Sequence, residues 1–302
     1  MKFCLLSIGS RGDVQPYAAL GVSLQARGHH VTFATHANFK SMIEALGLTF
    51  VAVPADPRAL VHDPLIGQAV ADGSALRFLR LLRERLQPEA FALQEAAFAA
   101  AQGADIVIGS AVTDHLAQAV AEKVGAHFVW SDLAPLSPTS AYPAFILSTH
   151  LPNLGPFNRL THQLGAWGWW HLNREEVNKM RRRWGLPETF SSPLKRARAQ
   201  GLLELHGYSP SLVARPKEWG AQHVLAGAWN LPRAAAQSLP GDHHDAGFAK
   251  WLEDGPAPFF FGFGSMAILS GEEFLELVGD VCEDLEIRGL IGAGWTDLHG
   301  PD

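Results

Sequence analysis

Near the start of the chain an apolar run, Phe3–Ile8, gives way to Gly9-Ser10-Arg11-Gly12-Asp13, which sets two glycines, a hydroxyl, a cation and a carboxylate in one short loop. Glycines let the backbone turn sharply and approach a ligand, and the free amides of a helix start form a ready anion site. A carboxylate positioned in such a loop can also take a proton from a hydroxyl during group transfer. Residue types alone leave several readings: a phosphate cradle, an Arg-Gly-Asp adhesion tripeptide, a tight strand-to-helix turn, or the seat of a base. Placement between a strand and a helix argues against adhesion. Arg11 is suited either to neutralising a diphosphate or to pairing with a surface carboxylate.

A second loop repeats the design. In Gly262-Phe263-Gly264-Ser265-Met266 the glycines permit close approach, and Ser265 can hold phosphate or cap the next helix. Trp295, in the loop after the following strand, is placed either to approach a nucleotide or to fill core. Asp114-His115 could act as an acid–base pair, or could open a helix as cap and first-turn residue. The pairs His29-His30 and His243-His244 lack i, i+4 spacing with a third ligand nearby, so no metal site is expected.

The elements that must position these residues follow a strand–helix rhythm. Strands are expected at Phe3–Ile8, His30–Thr35, Thr49–Val53, Asp105–Gly109, His127–Trp130, Leu202–His206 and His223–Gly227. Helices are expected at Pro16–Arg27, Lys40–Leu46 and Asp114–Val124, with a long amphipathic stretch over Ala75–Gln102 kinked at Pro88. Unalternated apolar strands separated by helices indicate a doubly wound parallel sheet. Asn230–Asp245 interrupts the rhythm with prolines and polar residues. A fresh strand (Pro258–Phe263), helix (Gly271–Asp284) and strand (Glu286–Ile291) follow. The organisation expected is a first domain over 1–229, a linker over 230–256 and the start of a second α/β domain over 257–302. A piece as small as the last cannot bury a core of its own.

Composition narrows the function classes. The net charge of −6, with no Lys/Arg tract, argues against nucleic acid as a partner. Two distant cysteines fit a reducing compartment, and no signal peptide or bilayer-spanning run is evident, so a cytoplasmic location is expected.

Gly9–Leu20, Gly28–His36, Arg183–Pro187 (RWGLP) and Gly262–Met266 together resemble the nucleotide-sugar glycosyltransferases of the two-Rossmann-domain GT-B architecture, families 1 and 28. The branch is the one acting on sterols, lipids, carotenoids and antibiotics. The resemblance implies an inverting transfer of a hexose from a nucleotide-diphosphate sugar, a UDP-sugar, to a hydroxyl of an apolar acceptor. It gives Asp13 the role of base and Ser265 that of a phosphate contact, with Gly9, Ser10, Arg11, Gly12, Gly264 and Trp295 around the donor. No permanently bound cofactor or metal is implied. Capping of the helix remains the other reading of Asp13.

The aromatic stretch Tyr142–Trp170, ending in Trp167, Trp169 and Trp170, would cover the acceptor pocket. Ordinary core packing or a peripheral membrane contact are its alternatives. Relatives that pair a first-loop histidine with an aspartate differ from this chain, which has no His between Gly9 and Gln15. The His-Gly-Gly segment of the donor domain does not occur. The chain is therefore read as an incomplete enzyme with little or no transfer by itself, the alternative being a silent acceptor-binding module. An NAD-type Rossmann protein fits less well, because Gly-x-Gly-x-x-Gly is missing and Thr35-His36 stands where an acid would bind ribose.

Overall fold

The computed structural model describes residues 1–54, 56–61, 63–72, 74–144, 147, 151–239, 246–265, 270–295 and 298. The first apolar run forms β1 (Lys2–Leu6), and its alternate side chains serve two separate cores. Helix α1 (Arg11–Gln25) begins well before the expected Pro16. The earlier start has a local cause: Ser10 and Asp13 form a capping box, which nucleates the first turn, and Pro16 is carried inside the helix. Gly28, at φ +80°, closes its far end. Next come β2 (His30–His36), α2 (Lys40–Ala45), β3 (Thr49–Val53), α3 (Pro57–Val61) and α4 (Pro64–Ala71). The long amphipathic stretch is two helices, α5 (Ala75–Leu86) and α6 (Ala90–Ala100), separated by a 3-10 turn that contains Pro88.

Strand β4 (Ile106–Gly109), helix α7 (Asp114–Val124) and strand β5 (His127–Asp132) follow as the sequence indicates. The helix α8 (Gly155–Arg183) was not expected, and its burial pattern explains why. Its first half turns Asn158, Thr161 and His162 inward and leaves Leu160, Leu164 and Trp167 exposed, whereas its second half buries Trp170, Val177 and Met180. The apolar side changes mid-helix, so no single periodicity marks it. The inward polar groups are used: Asn158 donates to the Ser140 carbonyl at 2.8 Å, and Thr161 Oγ1 accepts the Ala144 N–H at 2.8 Å. They tie down part of the aromatic stretch, of which residues 145, 146 and 148–150 lie outside the described residues.

The chain continues through α9 (Pro193–Ala199), β6 (Glu204–His206), β7 (His223–Leu225), α10 (Arg233–Gln237) and α11 (Ala246–Glu253). The expected linker thus carries two short helices, α10 and α11, and His243-His244 lie outside the described residues. Strand β8 (Phe259–Gly262), helix α12 (Gly271–Asp284) and strand β9 (Gly289–Gly292) complete the order. Glu286 adopts φ +50° just past α12, so the last strand starts at Gly289 rather than Glu286.

Seven strands form one parallel sheet in the order β3-β2-β1-β4-β5-β6-β7, while β8 and β9 form a separate parallel pair. Phe3 and Leu5 pack on one face with Val14, Tyr17 and Ile43; Cys4 and Leu6 pack on the other with Val120, Trp170 and Met180. Burial pushes the Cys4 thiol up to about 12, which leaves it an inert core group. Because β2 and β4 flank β1 on opposite sides, the chain reverses direction there. The crevice beyond the carboxyl ends of β1 and β4 is where open α/β sheets take ligands.

Candidate active site

The loop after β1 is organised around one carboxylate. Asp13 Oδ2 accepts the Ser10 backbone N–H at 2.7 Å and the Ser10 hydroxyl at 3.0 Å. Among the described residues Oδ1 accepts no hydrogen bond, and Asp13 is exposed. Capping and availability to a ligand therefore coexist in this side chain. Gly9 makes the arrangement possible. It sits at φ +129°, and a Cβ built on it would overlap Asp13 Oδ2. Its own N–H donates to His36 Nε2 at 3.1 Å, which ties the loop to the end of β2.

Ser10, Arg11 and Gly12 line a cleft of about 660 Å³ whose opposite wall is Phe263, Gly264, Ser265, Gly294 and Trp295. The two loops singled out by sequence thus face one another, joined through Pro16, Trp229 and Asn230. Gly9 and Asp13 are not in the wall of this cleft. Arg11 Nε donates to Gln15 Oε1 at 2.7 Å, and among the described residues no carboxylate lies within ion-pair distance, so the surface pairing considered for Arg11 is not made. Nor does Ser265 cap α12, for Ser270 does so by accepting the Glu273 N–H at 3.2 Å. That helix start also carries Glu272 and Glu273, so anion binding here would rest on Ser265 and the loop. Gly264 and Gly294, both at φ +60°, bring the second and third loops together so closely that a Cβ on Gly294 would overlap the Gly264 carbonyl. Trp295 reaches the cleft while packing against the core, and Met266 lies outside the described residues.

Two further cavities open at the carboxyl end of β4. One, of about 170 Å³, is lined by Ile8, Leu93, Leu116 and Met180; the other, of about 190 Å³, by Trp130, Leu136, Ala144 and Leu194. Ile8 directly precedes Gly9, so the first begins at the foot of the Asp13 loop. The three tryptophans of the aromatic stretch separate. Trp169 lines both cavities, Trp170 is core, and Trp167 is exposed with its ring tilted against His171 at 4.1 Å. Of the three tryptophans, Trp169 alone lines a cavity.

A buried polar cluster at the ends of β5, β6 and β7 had no signal in the sequence, since it needs the sheet order to assemble. Asp132 Oδ1 lies 2.8 Å from His206 Nδ1, and His206 Nε2 lies 3.2 Å from His223 Nδ1. Trp219 stacks on both imidazoles, at 4.4 and 4.6 Å. Burial pushes the Asp132 carboxyl up to about 6, with the His206 hydrogen bond opposing it, and burial lowers His223. A carboxyl whose value is raised in the folded state binds its proton more tightly there. Its contribution to stability is therefore present at low pH and lost as pH rises through about 6. Relative to Asp132→Asn, the wild type should lose stability between about pH 4 and 6, by an amount on the order of 1–3 kcal/mol, read as a falling melting temperature. Parallel melting curves across that range would refute this.

Among the described residues no group of three or more His, Cys, Asp and Glu could hold a metal, and no helix is long and apolar enough to cross a membrane.

Comparison with known proteins adds four findings. Residues 3–129 match the glycosyltransferase family 28 N-terminal domain. Over its full length the chain is 30% identical to sterol 3-beta-glucosyltransferase ATG26 of Gibberella zeae, of which it spans 20%. Over 99% of its length it is 30% identical to an uncharacterized glycosyltransferase of Mycobacterium leprae, of which it spans 68%. Among solved structures, the glycotransferase of kitacinnamycin matches all of this chain with 68% of its own, at a TM-score of 0.59 and 15% identity. That last likeness speaks for the fold alone.

Proposed function

The chain belongs to the GT-B glycosyltransferases, with a family 28 N-terminal domain over residues 3–129, and from that premise we propose that it takes part in inverting transfer of a hexose to a hydroxyl of an apolar acceptor. The donor is a nucleotide-diphosphate sugar, which we take to be a UDP-sugar. The observation that carries this reading is the cleft in which Ser10, Arg11 and Gly12 oppose Gly264, Ser265 and Trp295, with apolar cavities beginning at Ile8 below the same loop. A charged phosphate group and a greasy acceptor need just those two environments side by side.

In this reading the acceptor oxygen attacks the anomeric carbon as Asp13 takes its proton. The bond from that carbon to the diphosphate oxygen breaks, and the nucleoside diphosphate leaves with the bonding pair. A single displacement inverts the configuration. Arg11, the Ser265 hydroxyl and the loop amides face the charge that develops on the leaving group, and fixed donors of this kind stabilise a transition state without reorganising. Asp13 has a lone carboxylate oxygen for the acceptor because the other is already held by Ser10.

The test uses the reading frame that contains residues 1–302 in full. It is incubated with UDP-glucose or dTDP-glucose and a panel of apolar alcohols, and products are read by mass spectrometry. A glycoside with an equivalent of nucleoside diphosphate is expected. Donor hydrolysis without any glycoside refutes the acceptor assignment, and binding without turnover would mark a silent acceptor-binding module.

A further inference from the structure

The two apolar cavities are neighbours. Val112, Asp114 and Trp169 line both, so they are lobes that meet at one wall. At that junction stands a carboxylate. Asp114, the first residue of α7, is 3% exposed. Its Oδ1 accepts the His115 backbone N–H at 2.6 Å and the Trp169 indole N–H at 3.3 Å, and the His115 ring stacks near the Trp169 ring at 6.3 Å. Oδ2 makes no hydrogen bond among the described residues. The start of a helix favours a negative charge, and Oδ2, which is not sealed from solvent, is open to a donor that enters the pocket. Of the other charged groups lining the lobes, Glu176 is engaged with Lys179 at 2.9 Å and Arg198 with Glu204 at 2.9 Å, while Arg83 lines the first lobe with Gln87 and Glu176.

We propose that Asp114 is the polar anchor of this two-lobed pocket, its Oδ2 accepting a hydrogen bond from a hydroxyl carried part-way along an elongated apolar molecule. The lobes take the apolar skeleton on either side, and the carboxylate selects molecules that bring an O–H to the junction. The inference rests on the proposed transfer reading for calling that molecule the acceptor. It assigns Asp114 to holding the acceptor in place, leaving the proton transfer to Asp13.

The test needs neither donor nor turnover. Equilibrium dialysis of the 302-residue chain compares 2-naphthol with 2-methylnaphthalene, which differ by a hydroxyl in place of a methyl. A hydrogen bond to a charged acceptor should make wild type hold 2-naphthol roughly tenfold more tightly or better. In Asp114→Asn that preference should fall to within about threefold, with 2-methylnaphthalene affinity unchanged. Equal affinities in wild type, retention of neither compound, or a preference that survives in the Asn variant each overturn the proposal. If the Asn variant does not fold, the wild-type pair decides. In the transfer assay the variant should raise KM and leave kcat within about threefold; a collapse of kcat with unchanged 2-naphthol binding would make Asp114 a proton acceptor and also overturn it. Failure of transfer with every acceptor, alongside an intact naphthol preference, would sink the reaction while leaving the anchor standing.

Discussion

Asp13→Asn should leave the melting temperature nearly unchanged and lower glycoside formation by roughly 10²–10⁴-fold, the usual contribution of a positioned base. The two halves of the result come from the two duties of one side chain. An amide oxygen can still accept the Ser10 N–H and hydroxyl that now bind Asp13 Oδ2, and Asn caps about as well as Asp. It cannot accept the acceptor's proton. Asp13→Ala would confuse the matter, because loss of the cap alone costs about 1 kcal/mol. Gly9→Ala is the useful companion. Its new methyl occupies the place of the carboxylate, so it should depress turnover while Asp13 itself is intact. Melting curves together with product quantification by mass spectrometry decide the matter. Turnover within about tenfold of wild type in the Asn variant would reduce Asp13 to a capping residue.

Arg198→Met should destabilise the protein by roughly 3–5 kcal/mol, the cost of stripping one partner from a buried ion pair. Glu204 is 2% exposed, and both its oxygens are engaged: Arg198 donates from Nε and Nη2 at 2.9 Å each, and Ser137 Oγ donates at 2.5 Å. Without the guanidinium, a charge remains in the sheet with the Ser137 hydroxyl and, at 3.9 Å, His223 Nδ1 beside it. The melting temperature should fall by about 10 °C for a domain of this size. The double variant Arg198→Met, Glu204→Gln should regain most of the loss, since removing both charges leaves no uncompensated one. A single variant melting alongside wild type would show that the pair does not support the fold. Arg198 also lies over the Trp130 ring at 4.9 Å and lines the second lobe, so its removal should loosen ligand binding there too.

The order of strands β1 to β5 was legible because each has an apolar centre and is followed by a glycine or polar stop, whereas the short helices α3 and α4 after β3 were not read from the sequence. The two loops that face each other across the cleft were legible too, since glycine, serine and charge within a few residues have few other uses. Helix α8 was not, because its inward side is polar in one half and apolar in the other. The Asp132–His206–His223 cluster was hidden for a different reason. Its members come from three strands, far apart in sequence, and only the β5-β6-β7 order brings them together. The value of Asp114 was likewise invisible. As a residue type at a helix start it looks like a cap, and only the two lobes meeting beside it give it another use.

The two glycines of the first loop, alike on the page of the sequence, stand under unequal selection. A Cβ on Gly12 would meet nothing closer than Ser10 Oγ at 3.6 Å, an ordinary contact, and its backbone is that of any helical residue. The fold therefore lets position 12 drift, and in the proposed reading any restraint there comes from the donor that approaches through the cleft. Position 9 is locked from within, since any side chain there evicts the carboxylate that the loop exists to hold. Variation among descendants of this chain would thus report two things separately: at residue 12 how closely the donor packs, and at residue 9 whether the lineage still needs its base.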